Sequence, residues 1–584
     1  MSAPETDPVQ TGPVQTGPVQ TGPVLEIRDL VVETGGRAPA RVLDGVSLDA
    51  GRAETVCLVG ESGSGKSVTS LATMGLLPKG ALVARGGSVR LGGEEILDAS
   101  PARLRALRAT RMSMIFQEPM TALNPVMTVG AQIEEVLAAH GSLSERERGA
   151  RVLEMLDRVH MPDVRRVRAS YPHQLSGGQR QRVMIAMALS LEPALLIADE
   201  PTTALDVTTQ AQILGLIREM QERLGTSVLF ITHDMGVVAD IADRVFVMRG
   251  GEVVESAPVG RILAAPAHDY TRALLSAVPA LHPRPPRADA GEAVVLETEA
   301  LGTTYRRRAF LGRGEETVAA EGVTLALRRG RTLGVVGESG SGKSTVARCV
   351  VRLVEPTAGQ IRVAGHDVST LSRRALKPHR KRIQIVFQDP NRSLNPRLTV
   401  GESLVEGPVN FGAPKAEAMA RARELLALVG LSPEAVRRYP HEFSGGQRQR
   451  IAIARALAME PDVLVADEAV SALDVSVQAQ VLGLLDEIQA RLGVALLFIT
   501  HDLRVAAQIC DDIAVMHRGR VVEHGPASEV LARPREAYTR ALLDAAPGRH
   551  WDFPNFRPLA PAPEASAAAP PETPADARPG AAAR

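Results

Sequence analysis

The chain has little cysteine and no long hydrophobic run. Its three cysteines, Cys57, Cys349 and Cys510, lie far apart in the 584 residues, which excludes the close spacing of a zinc or iron–sulfur site. We expect them to be buried thiols. No window contains the roughly 18 uncharged apolar residues that a membrane-spanning helix needs, and the opening MSAPETDPVQ has neither the basic start nor the apolar centre of a signal peptide. The sequence therefore predicts a globular cytoplasmic protein whose membrane role, if it has one, is that of a bound partner.

An excess of either charge is also absent. Lys plus Arg and Asp plus Glu each number 67, so the formal net charge is zero. A chain with this balance has no overall basic field to bind nucleic acid, although the balance does not exclude a local basic patch. The length is too great for one hydrophobic core and indicates two to four domains.

What the sequence does contain is a long internal repeat. GESGSGKS stands at residues 60–67 and again at 337–344. YPHQLSGGQRQRVMIAMAL begins at residue 171 and YPHEFSGGQRQRIAIARAL at residue 439, an offset of 439 − 171 = 268 that also relates the paired motifs ADE, ALD, FITHD and YTRALL. This period far exceeds the roughly 20 to 50 residues of a solenoid repeat. The sequence therefore predicts a tandem duplication of a whole domain.

Composition divides the chain into five segments. Residues 1–23, with PVQTG three times, are predicted to be disordered, a docking motif being the alternative. Domains are predicted at 24–278 and 294–547, joined by a proline-rich extended linker at 279–293. Residues 548–584 are rich in Pro and Ala and are predicted to be a disordered tail.

Each half alternates short β-rich runs with helical segments. The runs are TVCLVG, ALLIAD and SVLFITH in the first half and LGVVG, VLVAD and ALLFITH in the second. This alternation predicts an α/β domain with a largely parallel sheet. The stretch between FQ and SGGQ is helical in pattern, so we expect a helical subdomain there.

A phosphate loop is predicted in each half. The pattern G-x-x-x-x-G-K-[ST] after an apolar strand lets backbone N–H groups surround phosphate oxygens at the start of a helix. We expect Lys66 and Lys343 to reach the β- and γ-phosphates, and the hydroxyls of Ser67 and Ser344 to hold Mg²⁺. Only six lysines accompany 61 arginines, and two of the six fill these positions. The other predicted loop residues are Gly60, Ser62, Gly63, Gly65, Gly337, Ser339, Gly340 and Gly342.

Acid pairs close two further apolar strands, LLIADE and VLVADE. Ligands of open α/β sheets lie at the carboxyl ends of the strands. We expect Asp199 and Asp467 to hold Mg²⁺, and Glu200 and Glu468 to polarise the attacking water.

The SGGQ motif predicts a second anion site in each half. Its serine stands where a helix N-cap would, and its glycines leave helix-start N–H groups exposed. An ordinary capped helix is the alternative. Because each half already has a phosphate loop, we expect the second site to serve a nucleotide held by the other half. The residues concerned are Ser176, Gly177, Gly178, Gln179, Ser444, Gly445, Gly446 and Gln447.

From about residue 24 to 547 the order of these motifs resembles that of the ATP-binding subunits of ABC transporters. The resemblance implies two tandem P-loop NTPase domains, each with a helical subdomain, in a head-to-tail pseudo-dimer with each ATP between the phosphate loop of one domain and the SGGQ of the other. It implies ATP and Mg²⁺ as ligands. It also assigns roles by position. Gln117 and Gln388 would sense Mg²⁺ and the membrane subunits, and Asp206 and Asp474 would connect the two sites. His233 and His501 would contact the γ-phosphate.

Finer features are similar to the peptide and nickel importer branch. They are FQEPMTALNPVMTVG, FQDPNRSLNPRLTVG, YPH before each signature and YTRALL near the end of each half. In that branch the two ATPases are often separate proteins, so the chain resembles their fusion. The likeness implies two transmembrane permease subunits, an extracytoplasmic solute-binding protein, no nucleic acid, and a peripheral position at the cytoplasmic face of the bacterial cell membrane.

Three departures from the family pattern stand out. An adenine-stacking aromatic is present as Tyr305, but the aligned first-half residue is Thr34. The proline after the catalytic glutamate is present as Pro201 but replaced by Ala469, which we expect to be mild. The cysteines that hold an iron–sulfur cluster in some relatives are missing, so no cluster is expected.

Two rival functions follow from the same motifs. One is a soluble tandem ABC protein that acts on ribosomes or DNA, which the balanced charge and the lack of coiled-coil insertions disfavour. The other is export, which the absence of fused membrane helices disfavours. The cargo stays open among dipeptides, longer peptides, glutathione, nickel chelates and opines.

Overall fold

The computed structural model describes residues 22–117, 122–140, 143–203, 205–285, 293–306, 316–471 and 473–559. Within them the chain forms two similar α/β cassettes. The first contains strands β1–β10, at Leu25–Thr34, Arg41–Ala50, Thr55–Val59, Leu82–Leu91, Glu94–Glu95, Met112–Ile115, Leu195–Asp199, Ser227–Thr232, Arg244–Arg249 and Glu252–Pro258. Its helices α1–α10 are Lys66–Thr73, Pro101–Leu107, Val129–His140, Glu145–Arg158, Val164–Ala169, Gly177–Leu189, Val207–Leu224, Met235–Ile241, Val259–Ala264 and Asp269–Ser276.

The second cassette repeats this order. Its strands β11–β20 are Val294–Arg306, Glu316–Arg328, Thr332–Val336, Ala358–Val363, His366–Asp367, Ile383–Val386, Val463–Asp467, Ala495–Thr500, Asp512–His517 and Arg520–Pro526. Its helices α11–α20 are Lys343–Val350, Arg373–Arg380, Pro390–Ser393, Val400–Asn410, Lys415–Leu428, Gly445–Leu457, Val475–Leu492, Leu503–Ile509, Ala527–Ala532 and Ala537–Asp544. The short strands β21 and β22, Trp551–Asp552 and Arg557–Pro558, follow.

Each cassette has two sheets. The six-stranded sheet has the order β10-β9-β3-β8-β7-β6 in the first cassette and β16-β17-β18-β13-β19-β20 in the second. Its strands are parallel except for β10 and β20, which pair antiparallel with their neighbours. All residues of β3, β7, β13 and β17 are buried, because parallel strands with both faces covered form continuous apolar runs. The predicted α/β fold with a largely parallel sheet is confirmed.

The second sheet of each cassette is antiparallel, with the order β2-β1-β4-β5 or β12-β11-β14-β15. It packs on one face of the parallel sheet in one apolar cluster, and helices cover the other face in a second cluster. The helices between FQ and SGGQ form the predicted helical subdomain, as α3–α5 in the first cassette and α13–α15 in the second.

The three cysteines are buried free thiols, as predicted. Burial raises the pKa of the Cys57 and Cys510 thiols above the ordinary range. Thiols that stay protonated in apolar surroundings are poor nucleophiles. Across the part of the chain that the structure describes, no helix is both long and apolar enough to cross a membrane.

The predicted disordered tail is wrong for its first residues. The segment 547–559, here called the C-terminal clasp, forms the strands β21 and β22 around a short 3-10 helix, Phe553–Asn555. Phe553 is 1% exposed and lies in the apolar cluster of the first cassette. The aromatic residues of WDFPNF supply the apolar area that the neighbouring Pro/Ala-rich sequence lacks, which explains why this part of the tail folds. Residues 560–584 and 1–21 lie outside the described residues.

Polar contacts fix the clasp further. The backbone N–H of Gly548 donates to Asp240 Oδ2 of the first cassette over 2.9 Å. Arg504 of the second cassette donates to the carbonyl oxygens of Pro547, at 2.7 Å, and Pro279, at 3.1 Å. Its guanidinium group lies 4.9 Å from the centre of the Phe553 ring. The clasp therefore joins the end of the second cassette to the body of the first.

Candidate active site

Each phosphate loop follows a central strand of the parallel sheet and ends where a helix begins. The loop after β3 leads into α1 at Lys66, and the loop after β13 leads into α11 at Lys343. Gly60 and Gly337 open the loops with φ angles of 151° and 149°. A Cβ atom there would lie 2.3 Å from the Met248 carbonyl oxygen or 2.2 Å from that of Met516. Only glycine allows the loop to pass so close to the neighbouring strand.

The loop lysines lie inside their own loops. Lys66 Nζ donates to the carbonyl oxygens of Gly60, at 2.7 Å, and Glu61, at 2.9 Å. Lys343 Nζ makes the equivalent bonds to Gly337, at 2.7 Å, and Glu338, at 2.6 Å. Burial lowers the pKa of both lysines, and nearby carboxylates oppose that shift. Both ammonium groups therefore lie within the loops that are predicted to surround the phosphates.

The serine after each lysine meets the first acid of the pair. Ser67 Oγ donates to Asp199 Oδ1 over 3.3 Å, and Ser344 Oγ donates to Asp467 Oδ1 over 2.9 Å. Burial raises the pKa of both aspartates. Hydroxyl and carboxylate oxygens are ligands that suit Mg²⁺. Among the residues described, no group of three or more His, Cys, Asp or Glu side chains could hold a metal.

Glu200 is held by three side chains in the first cassette. It follows β7 in the left-handed backbone region, with a φ of 47°. Its carboxylate lies 3.1 Å from His233 Nδ1, and it accepts hydrogen bonds from Gln117 Nε2 at 2.7 Å and Thr203 Oγ1 at 3.0 Å. Burial alone would raise the pKa of Glu200, but the bond and charge of His233, with the bond from Thr203 and the charge of Lys66, together outweigh it and lower that pKa to about 2. Glu200 is therefore ionised.

The second cassette has the same groups in a looser arrangement. Glu468 has a φ of 51°, and its carboxylate lies 3.6 Å from His501 Nδ1. Gln388 Nε2 donates to Ser471 Oγ at 3.3 Å, whereas its counterpart Gln117 bonds the glutamate directly. Burial opposes ionisation of Glu468, but the bond and charge of His501 together with the charge of Lys343 outweigh it and lower the pKa of Glu468. Burial alone would lower the pKa of each histidine, but the bond and charge of its glutamate, together with the charge of the following aspartate, Asp234 or Asp502, outweigh burial and raise that pKa.

The SGGQ serines are N-caps, as their position predicts. Ser176 Oγ accepts from the N–H of Gln179 at 3.3 Å, and the Gln179 side chain accepts from the N–H of Ser176 at 3.0 Å. Ser444 and Gln447 form the same capping box over 3.3 and 3.1 Å. The helices α6 and α16 therefore begin at fixed positions, and their first residues, Gly177 and Gly445, are exposed.

The two cassettes meet at their sites. The carboxylate of Asp206 accepts a hydrogen bond from the backbone N–H of Ser339, in the phosphate loop of the second cassette. Thr208 Oγ1 donates to Glu338 Oε1 of the same loop over 2.6 Å. In the other direction, Ser476 of the second cassette donates to the carboxylate of Glu61. Each phosphate loop thus touches the segment that follows the acid pair of the opposite cassette.

A cavity of about 120 Å³ lies at this boundary. It is lined from the first cassette by Thr203, Leu205 and Asp206 and from the second by Ser339, Gln388, Glu468, Ser471 and His501. The structure thus brings five predicted site residues together across the boundary. The SGGQ residues are not among those that line this cavity.

The predicted adenine-stacking residue lies at the edge of the second cassette. Tyr305 is 43% exposed near the end of β11. Leu25 pairs with Leu91 and Leu296 pairs with Val363, so β1 and β11 correspond at an offset of 296 − 25 = 271. The first-cassette equivalent of Tyr305 is therefore Thr34, which has no ring.

Sequence reasoning missed several residues that contact the phosphate loops. Glu61 and Glu338 belong to the repeated GESGSGKS, but the phosphate-loop pattern predicts no role for them. Thr208 and Ser476 stand two residues after the aspartates of the ALD motifs, and Tyr270 and Tyr538 belong to the repeated YTRALL. Repetition was the available signal for the glutamates and tyrosines, whereas the aligned Thr208 and Ser476 differ in type. All of these contacts depend on how the cassettes fold and face each other.

Fold and site together define a tandem P-loop ATPase. Residues 43–203 and 320–471 match the family described as ABC transporter, and residues 254–308 and 522–568 match the oligopeptide/dipeptide transporter C-terminal region. The chain is 49% identical over 559 residues to the glutathione import ATP-binding protein GsiA of Pectobacterium atrosepticum, covering 90% of this chain and 89% of that protein. GsiA of Salmonella typhimurium is 49% identical over 534 residues, covering 86% of each.

Among solved structures, a dimeric ATP-binding cassette in a post-hydrolysis state with ADP and Pi is 29% identical, with a TM-score of 0.36, and covers 40% of this chain and 98% of that chain. The chain belongs to the ABC transporter family. It is the ATP-hydrolysing subunit of an importer for peptides or related small solutes.

Proposed function

We propose that the two cassettes, residues 24–278 and 294–547, bind two ATP molecules at their boundary and that hydrolysis there drives uptake of glutathione or a peptide of similar size. The observation that carries this proposal is the pair of contacts between each phosphate loop and the opposite cassette, Thr208 with Glu338 and Ser476 with Glu61. The likeness to two GsiA proteins over most of the chain supports glutathione as the first cargo to test.

In this proposal each phosphate loop holds the triphosphate. Lys66 or Lys343 would exchange its bonds to loop carbonyl oxygens for bonds to phosphate oxygens, and the loop N–H groups would bind the rest. Ser67 with Asp199, and Ser344 with Asp467, would hold Mg²⁺, which offsets negative charge on the phosphates. The sites would be completed from the opposite cassette by the SGGQ helix starts, with Tyr305 stacking on one adenine.

Glu200 would orient the attacking water and accept its proton. While His233 bonds it, Glu200 is a weak base because its pKa is about 2. When His233 turns to a γ-phosphate oxygen, Glu200 loses its strongest stabilising partner. Its pKa then rises, which makes it a better base at the moment of hydrolysis. Glu468 and His501 would act in the same way in the other site.

The proposed partners are two transmembrane permease subunits and an extracytoplasmic solute-binding protein, with this chain peripheral at the cytoplasmic face of the cell membrane. Purification from native membranes under mild detergent tests this assembly. Two hydrophobic subunits should accompany the chain, whereas recovery with ribosomes alone would defeat the transport role.

Uptake tests the cargo. A strain that lacks the gene should lose uptake of labelled glutathione, and the wild-type chain should restore it. The variant carrying both Glu200→Gln and Glu468→Gln should accumulate to the same level without restoring uptake. If the deletion strain keeps glutathione uptake but loses dipeptide uptake, the cargo is a dipeptide rather than glutathione, and the proposed ATPase role still holds.

A further inference from the structure

Two tyrosine hydroxyls contact the phosphate loops from within the same cassette. Tyr270, on α10, accepts a hydrogen bond from the backbone N–H of Glu61 over 3.2 Å. Tyr538, on α20, accepts one from the backbone N–H of Glu338 over 3.1 Å. Glu61 and Glu338 are the first residues after the glycine that opens each loop. The same bond thus forms in both cassettes, in each case between segments about 200 residues apart in the sequence.

The tyrosine of the first cassette is held firmly in place. Glu255 of β10 accepts hydrogen bonds from the backbone N–H groups of Ala267, at 2.7 Å, and His268, at 3.0 Å, just before α10 begins. The guanidinium group of Arg249 lies 5.0 Å from the centre of the Tyr270 ring. Tyr270 is only 8% exposed. The sheet therefore determines where the hydroxyl lies.

The second cassette holds its tyrosine by equivalent groups. Glu523 of β20 accepts from the backbone N–H groups of Arg535, at 2.8 Å, and Glu536, at 3.2 Å. The ring of His517 stacks on that of Tyr538 with centres 4.0 Å apart. Burial raises the pKa of Tyr538 to about 12 and also raises that of Tyr270. Both hydroxyls therefore stay protonated and neutral at physiological pH.

The glutamate that each tyrosine contacts is a junction between three parts of the molecule. The carbonyl oxygen of Glu61 accepts from Lys66 and its carboxylate accepts from Ser476 of the opposite cassette. Its N–H is the group that Tyr270 holds. A shift of this N–H moves the carbonyl and the side chain with it, because all three belong to one residue.

Glu338 is placed in the same way. Its carbonyl oxygen accepts from Lys343 at 2.6 Å, its carboxylate accepts from Thr208 of the opposite cassette at 2.6 Å, and its N–H is held by Tyr538. Both tyrosines lie in the segments that match the oligopeptide/dipeptide transporter C-terminal region. That region therefore reaches the nucleotide site through one hydroxyl in each cassette.

We infer that Tyr270 and Tyr538 are positioning residues for ATP binding. Each fixes the glutamate that follows the opening glycine of its phosphate loop, so that the loop lysine faces the phosphates and the glutamate carboxylate reaches the opposite cassette. The inference rests on the proposed function, since it concerns the same two ATP sites.

Removing only the hydroxyls tests this role in the full-length chain. Tyr270→Phe and Tyr538→Phe keep the buried rings and delete the acceptor of one hydrogen bond. We expect each to raise the KM for ATP about three- to tenfold, with kcat within about twofold of wild type. Tyr171→Phe, the same change at a tyrosine that is 38% exposed ahead of SGGQ, is the matched control and should leave both constants unchanged.

A pairwise comparison shows whether the tyrosine acts through its glutamate. Ser476→Ala removes the partner of Glu61, and Thr208→Ala removes the partner of Glu338. The effect of Tyr270→Phe on KM should shrink in the Ser476→Ala background and persist in full in the Thr208→Ala background. Tyr538→Phe should show the reverse pattern.

The outcomes are separable. An unchanged KM in both Tyr→Phe variants, or equal effects in both alanine backgrounds, overturns the inference. A fall in kcat and in melting temperature with KM unchanged shows a purely structural role and overturns it too. If the wild-type chain itself does not hydrolyse ATP, the proposed function fails instead.

Discussion

Thr208 and Glu338 lie on opposite sides of the boundary between the cassettes, and the threonine hydroxyl donates to the glutamate carboxylate over 2.6 Å. Ser476 and Glu61 repeat the contact in the opposite direction. Two reciprocal contacts of this kind require that each phosphate loop face the other cassette. Each phosphate loop is therefore joined to the opposite cassette by a short polar contact.

The first prediction concerns Glu200 and Glu468, the two glutamates proposed to activate water. Glu200→Gln and Glu468→Gln, introduced singly, should each lower ATP turnover by about tenfold or more, because a positioned general base contributes about 10² to 10⁴ and the sites share their contacts. Steady-state phosphate release measures this.

An exposed glutamate supplies the control for that experiment. Glu222 lies on the outer face of α7, and Glu222→Gln should keep full turnover. A loss of only half the activity in each single variant would show that the sites work independently, and full activity in one would show that its site is degenerate.

The second prediction separates two adjacent glycines of the first SGGQ. A Cβ on Gly178 would lie 2.5 Å from Thr209 Cγ2, whereas a Cβ on Gly177 would have no neighbour closer than 3.9 Å. Gly178→Ala should therefore destabilise the fold by about 1 to 3 kcal/mol through overpacking. Gly177→Ala should keep the melting temperature but lower turnover, since its methyl group would lie at the proposed nucleotide-facing helix start.

Thermal melting and phosphate release distinguish the two variants. Gly446→Ala should behave like Gly178→Ala, because its Cβ would lie 2.3 Å from Val477 Cγ1. Equal melting temperatures for all three variants would contradict the packing argument.

The third prediction is a pH dependence of stability from the pair of His233 and Glu200. The pKa of His233 is raised above its ordinary value of 6.5, so its contribution is fully present below about pH 6.5 and is lost as the pH rises through the folded pKa. The pKa of Glu200 is lowered from 4.5 to about 2, so its contribution is present above about pH 4.5 and is lost as the pH falls towards 2. Both are present between these limits.

Calorimetry of nucleotide-free protein tests this dependence. The destabilisation by His233→Gln should be about 1 to 3 kcal/mol at pH 6 and smaller at pH 9. His160, which pairs with Glu219 but is 61% exposed, is the control, and His160→Gln should change stability by less than about 1 kcal/mol. A larger destabilisation by His233→Gln at pH 9 than at pH 6 would contradict a raised pKa of His233.

The fourth prediction concerns the C-terminal clasp. Phe553→Ala removes a ring buried in the first cassette and should cost about 3 to 5 kcal/mol, lowering the melting temperature of that cassette. Ending the chain after residue 546 should have at least the same effect. Ending it after residue 559 keeps the whole clasp and is the matched control. If both truncations melt alike, the clasp does not stabilise the first cassette.

Local motifs were sufficient to predict the fold and much of the site. Lys66, Ser67 and Asp199 converge because the phosphate loop and the acid pair follow strands of one parallel sheet, whose carboxyl ends meet at one edge. The duplication of every motif made the same prediction twice. The capping role of Ser176 also followed from local sequence, since a helix N-cap depends on only four residues.

Contacts between distant parts of the chain could not be predicted in this way. The bond between Thr208 and Glu338 depends on the relative placement of two folded cassettes. The clasp was missed because the Pro and Ala content of the tail outweighed its few aromatic residues. The different partners of Gln117 and Gln388 could not be read from the FQ motif, which both residues share.

The facing arrangement of the cassettes is tested most directly by chemical cross-linking. In the full-length chain, Thr208→Cys is combined with Glu338→Cys, and Ser476→Cys with Glu61→Cys; the three native cysteines are buried and should not react. With a short bifunctional thiol reagent, peptide mapping should find a cross-link in both of these pairs and none when Thr208→Cys is combined with Glu61→Cys of the same cassette. A cross-link only in the same-cassette pair would show that each phosphate loop faces its own cassette, contrary to the arrangement described.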